Sequence, residues 1–204
     1  MRPSPILRIA LVLLAALAFQ ARPAAAQGDP RAFMADMGNH VLKIINDKQT
    51  PEAQRKQEFK QVVDTAFDVP RIGQFVLGRY WRTATDDEKQ QFIKAFETYM
   101  IQVYWSRFNS YNGESFKVIG SQDDGSGNLQ VTTNILRPDT GQQPVKVTWS
   151  LIKIGNTFKI RDASLEGVSQ ALTYRDEFSS ILERANGKVS ALTDQLNERT
   201  KQGA

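Results

Sequence analysis

The sequence predicts an α+β domain, with helices at both ends and a four-stranded antiparallel meander between them. Three observations carry this. Apolar residues recur at helical spacing from Phe33 to Val103. The period changes to about two between Phe116 and Ile160. Helical spacing then returns from Leu172 to Leu196. Strands gathered between two helical blocks put the helices on one face of the sheet.

The first helix opens at Asp29-Pro30, an N-cap acid followed by a proline whose missing N–H costs nothing there. Phe33, Met37, Val41, Ile44 and Ile45 mark its apolar side. Thr50-Pro51 repeats the opening, and Phe59, Val62, Val63, Ala66 and Phe67 form one face of a second helix. A short third helix follows Asp68, with Ile72, Phe75 and Val76 inward and Gly78 as its stop. Thr85 and Glu88 form a capping box, and Asp86 and Asp87 suit the positive end of the fourth helix. That helix runs to about Phe108 and carries Phe92, Phe96, Tyr99, Met100 and Val103.

Strand spacing begins with Phe116 to Ile119 and continues in the alternating segment Leu129 to Ile135. The segment Arg137-Pro138-Asp139-Thr140-Gly141 turns the chain into a third strand through Val145, Val147, Trp149 and Leu151. Gly155-Asn156 is a two-residue hairpin signal before Phe158 and Ile160. Leu172, Phe178, Ile181 and Leu182 mark a fifth helix that stops at Asn186-Gly187. Val189, Leu192 and Leu196 mark the last one.

Residues 1–26 read as a cleaved export signal. Arg2 and Arg8 precede an apolar run from Ile9 to Phe19, and Ala24-Ala25-Ala26 supplies small residues for a peptidase. The run falls short of the roughly 20 residues that span a bilayer. A single domain over 27–204 is therefore expected. The net charge of +4 rests largely on this leader, which holds Arg2, Arg8 and Arg22 and no acid. Without those three arginines, 23 basic residues face 22 acidic ones. That balance leaves little electrostatic footprint for nucleic acid. The chain has no cysteine, which excludes disulfides, thiolate metal sites and cysteine nucleophiles.

Catalytic and metal chemistry finds few candidates. His40 is the single histidine and falls within the first helix, where an ordinary structural position explains it. Gly167-Val168-Ser169 lacks the glycine that a nucleophile elbow needs two residues after serine, so Ser169 reads as a helix N-cap. Asp86-Asp87-Glu88 point in different directions on a helix. The loop from Asp123 to Asn128 lacks the alternating acids and closing Glu of an EF-hand. No catalytic residue, cofactor or metal is expected.

The segment "GRYWR", Gly78 to Arg82, admits two readings: Trp81 plugs a core with Arg79 and Arg82 reaching outward, or the aromatics border a ligand cavity.

Three ordered blocks carry a resemblance: "FVLGRYWRTATDDEKQQFIKAFETYMIQVY", "NILRPDTGQQPVKVTWSL" and "DASLEGVSQALTYRDEFSSIL". Together they resemble the signature regions of the MlaC, or toluene-tolerance, family and cover most of residues 70–185. The resemblance implies a periplasmic lipid carrier with a cystatin-like or nuclear-transport-factor-like fold, in which helices wrap a curved four-stranded sheet around an apolar cavity. It implies phospholipid as ligand, and as partners an inner-membrane ABC transporter with a lipid-binding hexamer and an outer-membrane lipoprotein complex. A hopanoid-associated branch, HpnM, is similar in its "GRYWR" and "YRDEF" wording, so a hopanoid cargo stays open. Given that fold, Phe75, Val76, Tyr80, Trp81, Phe96, Tyr99, Val147, Trp149, Val168 and Tyr174 are the expected cavity residues. Arg71, Arg79 and Arg175 are the expected head-group or partner contacts. An enzyme built on the same fold and a non-catalytic adaptor with a filled core remain the competing classes.

Overall fold

The computed structural model describes residues 28–108, 113–123, 125, 127–137 and 143–203. The export signal expected over 1–26, most of the turn expected at 137–141, and Asp124 and Ser126 of the acid-and-glycine loop lie outside the described residues.

Among the described residues, six α-helices and a five-stranded antiparallel sheet follow the expected order. Helix α1 spans Pro30–Asn46, α2 Glu52–Ala66, α3 Val69–Leu77 and α4 Asp86–Phe108. Strands β1 Ser115–Asp123, β2 Asn128–Leu136, β3 Val145–Ile154 and β4 Thr157–Leu165 form the meander. The two-residue β5, Val168–Ser169, leads into α5, Gln170–Arg184, and α6, Val189–Lys201, ends the fold. Strand order is β1-β2-β3-β4-β5.

Local signals account for most boundaries. Asp29 accepts the Arg31 N–H at 2.8 Å and Pro30 opens α1. Thr85 and Glu88 close the capping box, with the Thr85 N–H donating to Glu88 at 2.8 Å and the Glu88 N–H to Thr85 Oγ1 at 3.2 Å. Ser169 Oγ accepts the Leu172 N–H at 3.1 Å, as an N-cap should. Asn186 and Gly187, both at positive φ, turn α5 into α6.

Three local expectations differ. Phe75, expected inward on α3, is exposed, because its ring lies under the Arg175 guanidinium and not in the core. Thr50 does not cap α2; Asp47 takes the Gln49 and Thr50 N–H groups and the Thr50 hydroxyl, which leaves Pro51 at the cap position. A side chain between two helices served the earlier turn because it could satisfy three donors at once. The sheet also gains a fifth strand. Glu166 and Gly167, at φ 48° and 86°, reverse the chain so tightly that Val168 and Ser169 pair back onto Leu165 and Ser164.

The core falls into two clusters. One lies among the helices and contains Phe59, Phe92, Phe96, Phe178, Leu182 and Leu192. The other joins α1 and the end of α2 to the sheet through Met34, Ala66, Val131, Leu151, Phe158 and Ile160. Met37 and Phe67 pack against both. The chain after α2 is also tied to the sheet, where the Asp68 N–H donates to the Ile160 carbonyl at 2.9 Å and Arg161 pairs with Asp68 at 3.3 Å.

Candidate functional site

Half-buried side chains fringe both clusters. On the helical side Val103, Tyr104 and Tyr174 pack against the helical cluster without being fully covered. On the sheet side Phe116, Val118 and Trp149 do the same against the other cluster. A domain of this size usually fills one contiguous core. Here the apolar interior is divided between helices and sheet, and each part carries half-buried side chains at its margin.

Aromatic rings build the helical wall. Phe96 stacks on Phe92 at 5.7 Å and meets Tyr174 and Phe178 edge-on at 5.5 and 5.7 Å. Tyr99 meets Tyr174 at 6.2 Å. The phenols of Tyr104 and Tyr174 lie near each other, and burial raises both above the usual phenol range. Proximity to Tyr104 raises Tyr174 further, whereas the Arg107 guanidinium, 5.6 Å from the Tyr104 ring, acts in the opposite direction. Asp162 of β4 also bears on Tyr104 and accepts the Ala171 N–H of α5 at 2.9 Å, so it ties the start of α5 to the sheet. On the sheet wall the Trp149 indole N–H donates to Thr133 Oγ1 at 2.8 Å, which lets a polar ring edge sit in an apolar face.

A second arrangement surrounds the 3-10 turn Gly78–Arg82. Two open grooves flank it and share Arg79 and Arg82. The larger, about 620 Å³, runs along Tyr80, Thr83, Lys188 and Val189. The smaller, about 410 Å³, runs along Phe75, Gly78, Trp81 and Arg175. Arg79 lies 4.9 Å over the Tyr80 ring, donates to its hydroxyl at 2.8 Å and pairs with Glu183 at 3.0 Å. The Arg175 guanidinium lies 4.9 Å over Phe75, and Lys89 lies 5.5 Å from the Trp81 ring.

The expected site residues therefore divide into groups. Phe96, Tyr99 and Tyr174 come together in the helical wall, and Val147 and Trp149 belong to the sheet beneath. Val76 and Phe96 are sealed at 0% exposure, inside the solid helical core. Phe75, Tyr80, Trp81, Arg79 and Arg175 gather at the grooves around the 3-10 turn. Val168 stands apart on β5 at 59% exposure, and Arg71 is exposed on α3 with Gln74 as its hydrogen-bond partner. Tyr104, Asp162, Thr133 and Lys188 complete these arrangements without having been singled out in the sequence. Tyr104 had a readable signal, one turn beyond Met100 on the same helix; the others depend on chain crossings that no local pattern announces.

His40 is exposed on α1. Among the described residues no group of three or more His, Asp or Glu side chains could hold a metal ion. No helix among them is long and apolar enough to cross a membrane.

Helices laid on one face of an antiparallel meander, with half-buried aromatic side chains at the margin of each core cluster, define an α+β domain with a divided apolar interior. The chain belongs to the MlaC family, whose model, MlaC protein, matches residues 35–198. It is similar to the toluene tolerance protein ttg2D of Pseudomonas putida, with 24% identity over 116 residues, 57% of this chain and 53% of that protein. The chain thus spans about half the length of that curated relative. Among solved structures it is similar to a phospholipid-binding protein from Ralstonia solanacearum in complex with a phospholipid. That likeness has a TM-score of 0.73 at 22% identity and covers 86% of this chain and 99% of the other. It establishes the shared fold.

Proposed function

We propose that this chain is a periplasmic lipid carrier that holds acyl chains in the seam between helices and sheet. The observation that carries the reading is the division of the core into two clusters, each fringed by half-buried apolar side chains, Val103, Tyr104 and Tyr174 on the helices and Phe116, Val118 and Trp149 on the sheet. The fold shared with a protein solved with phospholipid supports it. So does membership of the MlaC family over residues 35–198.

The physics explains why such a function needs no reactive group. A two-chain lipid exposes on the order of 30 methylenes, whose transfer into water costs about 25 kcal/mol at ~0.8 kcal/mol each. A carrier supplies a dry surface for those chains and leaves the head group wet. The protein is then non-catalytic. Residues 1–26 act as the export signal, and residues 27–204 work as one domain. The carrier exchanges phospholipid between an outer-membrane lipoprotein complex and an inner-membrane ABC transporter with a lipid-binding hexamer.

Organic extraction of gently purified protein followed by mass spectrometry tests the reading and identifies the cargo, phospholipid or hopanoid. Co-purifying lipid, reduced in the seam-filling variants Val103→Trp and Val118→Trp with helicity intact, is the expected result. Empty protein that also takes up no lipid from vesicles would sink the proposal.

A further inference from the structure

We infer that the two grooves around Gly78–Arg82 form a docking surface for an anionic lipid bilayer. The inference goes beyond the seam, because it assigns the face on which the protein meets a membrane. It rests on the carrier reading only for its purpose.

The first argument is local charge. Arg79, Arg82, Arg175 and Lys188 line the grooves, and Glu88 is the one acid among the lining residues. Glu88 is committed to the α4 capping box, where it takes the Thr85 N–H and hydroxyl. Glu183 neutralises Arg79, and the nearby Asp86 is paired with Lys89 at 3.0 Å. Among the described residues Arg82 and Lys188 have no ion pair, and both are exposed. Two cations without an ion pair thus face one groove beside Arg79 and Arg175 on a chain of almost balanced charge.

The second argument is the apolar content between those cations. Phe75 is 40% exposed with Arg175 laid over its ring, and Leu172, one turn before Arg175 on α5, is 51% exposed. Trp81 is half-buried in the smaller groove. Aromatic rings beside long basic side chains suit the interface between head groups and acyl chains: rings enter the apolar boundary while guanidinium and ammonium groups stay with phosphates. Anionic head groups complement that charge over a short, salt-dependent range.

Co-sedimentation of the full exported chain with vesicles tests this. One set contains phosphatidylglycerol mixed with phosphatidylcholine, and the other phosphatidylcholine alone. Binding to the anionic set only, weakened by high salt and reduced roughly tenfold or more in Arg82→Glu/Lys188→Glu, is expected. The same double reversal on the sheet, Lys117→Glu/Lys153→Glu, changes net charge equally and should leave most of the binding intact. Phe75→Ser should weaken the fraction that survives high salt. Equal sedimentation with both vesicle sets, no sedimentation at all, or equal losses in the two charge reversals would overturn the proposal. Absence of vesicle binding is also the outcome if the grooves serve an acidic protein surface instead. Circular dichroism confirms folding of each variant. Lipid extracted from Arg82→Glu/Lys188→Glu separates the two readings: retained lipid without docking removes only the docking surface, whereas wild-type protein that is lipid-free and takes up no lipid from vesicles removes the carrier.

Discussion

Tyr174 of α5 packs its ring edge-on against Tyr99 and Phe96 of α4, and its phenol lies near that of Tyr104 on the same helix. Burial holds Tyr104 and Tyr174 in the neutral form beyond the usual phenol range. The sign of the pH effect follows. In the unfolded chain tyrosine loses its proton near pH ~10, while in the fold these two keep theirs. Above about pH 10 the native state binds more protons than the unfolded state, so stability falls as pH rises. Each tyrosine contributes a slope of about 1.4 kcal/mol per pH unit at full effect. Urea midpoints measured from pH 9 upward should decline more steeply in the wild type than in Tyr104→Phe/Tyr174→Phe. Parallel curves would show that the phenols are not protected.

Gly38 on α1 carries the ring of Phe116 from β1. A Cβ at Gly38 would stand 2.3 Å from Phe116 Cδ1 and 2.7 Å from Cγ, so the ring cannot evade it by a small rotation of its far end. Gly38→Ala should therefore destabilise the fold by about 1–3 kcal/mol, although alanine favours helix. Adding Phe116→Leu should recover part of the loss. Chemical denaturation of the single and double variants checks both statements.

The elements were legible where the chain acts locally. The Thr85–Glu88 box, the Ser169 cap, the Gly155-Asn156 hairpin and the Asn186-Gly187 stop each need only neighbouring residues, and all four are found. The site was legible in kind but not in detail. Phe96 and Tyr174 have the same residue character and helical spacing, yet one is sealed by Phe92 and Phe178 while the other stays half-buried. A cavity wall is made from core residue types, so exposure depends on what crosses opposite. Asp162 illustrates the same limit: its role at the start of α5 exists only because β4 and α5 are adjacent.

Thr133 is fully buried on β2, and its hydroxyl accepts the Trp149 indole N–H from β3. Thr133→Val keeps the shape but removes the acceptor. The orphaned donor should cost about 1–3 kcal/mol. Trp149→Phe removes the donor instead, and the double variant should lose less than the sum of the two single losses. A double-mutant cycle by urea denaturation measures that coupling. Strict additivity would mean that the bond contributes nothing.

Gly78 stops α3 at φ 54° and ψ −122°, a conformation that side chains with a Cβ do not adopt comfortably. The left-handed region that asparagine tolerates lies at positive ψ, so no other residue substitutes freely here. Space does not add to the strain, because a Cβ would meet only the flexible Arg175 guanidinium, at 3.4 Å. Gly78→Ala should cost about 1–3 kcal/mol from backbone strain. Gly120→Ala on β1 is the matched control, because a Cβ there meets nothing within 4 Å. That change should be neutral or stabilise by about 0.4–1 kcal/mol through the unfolded chain. Thermal and urea denaturation of the two variants distinguish strain at Gly78 from a general loss of glycine flexibility, since only the former predicts effects of opposite sign.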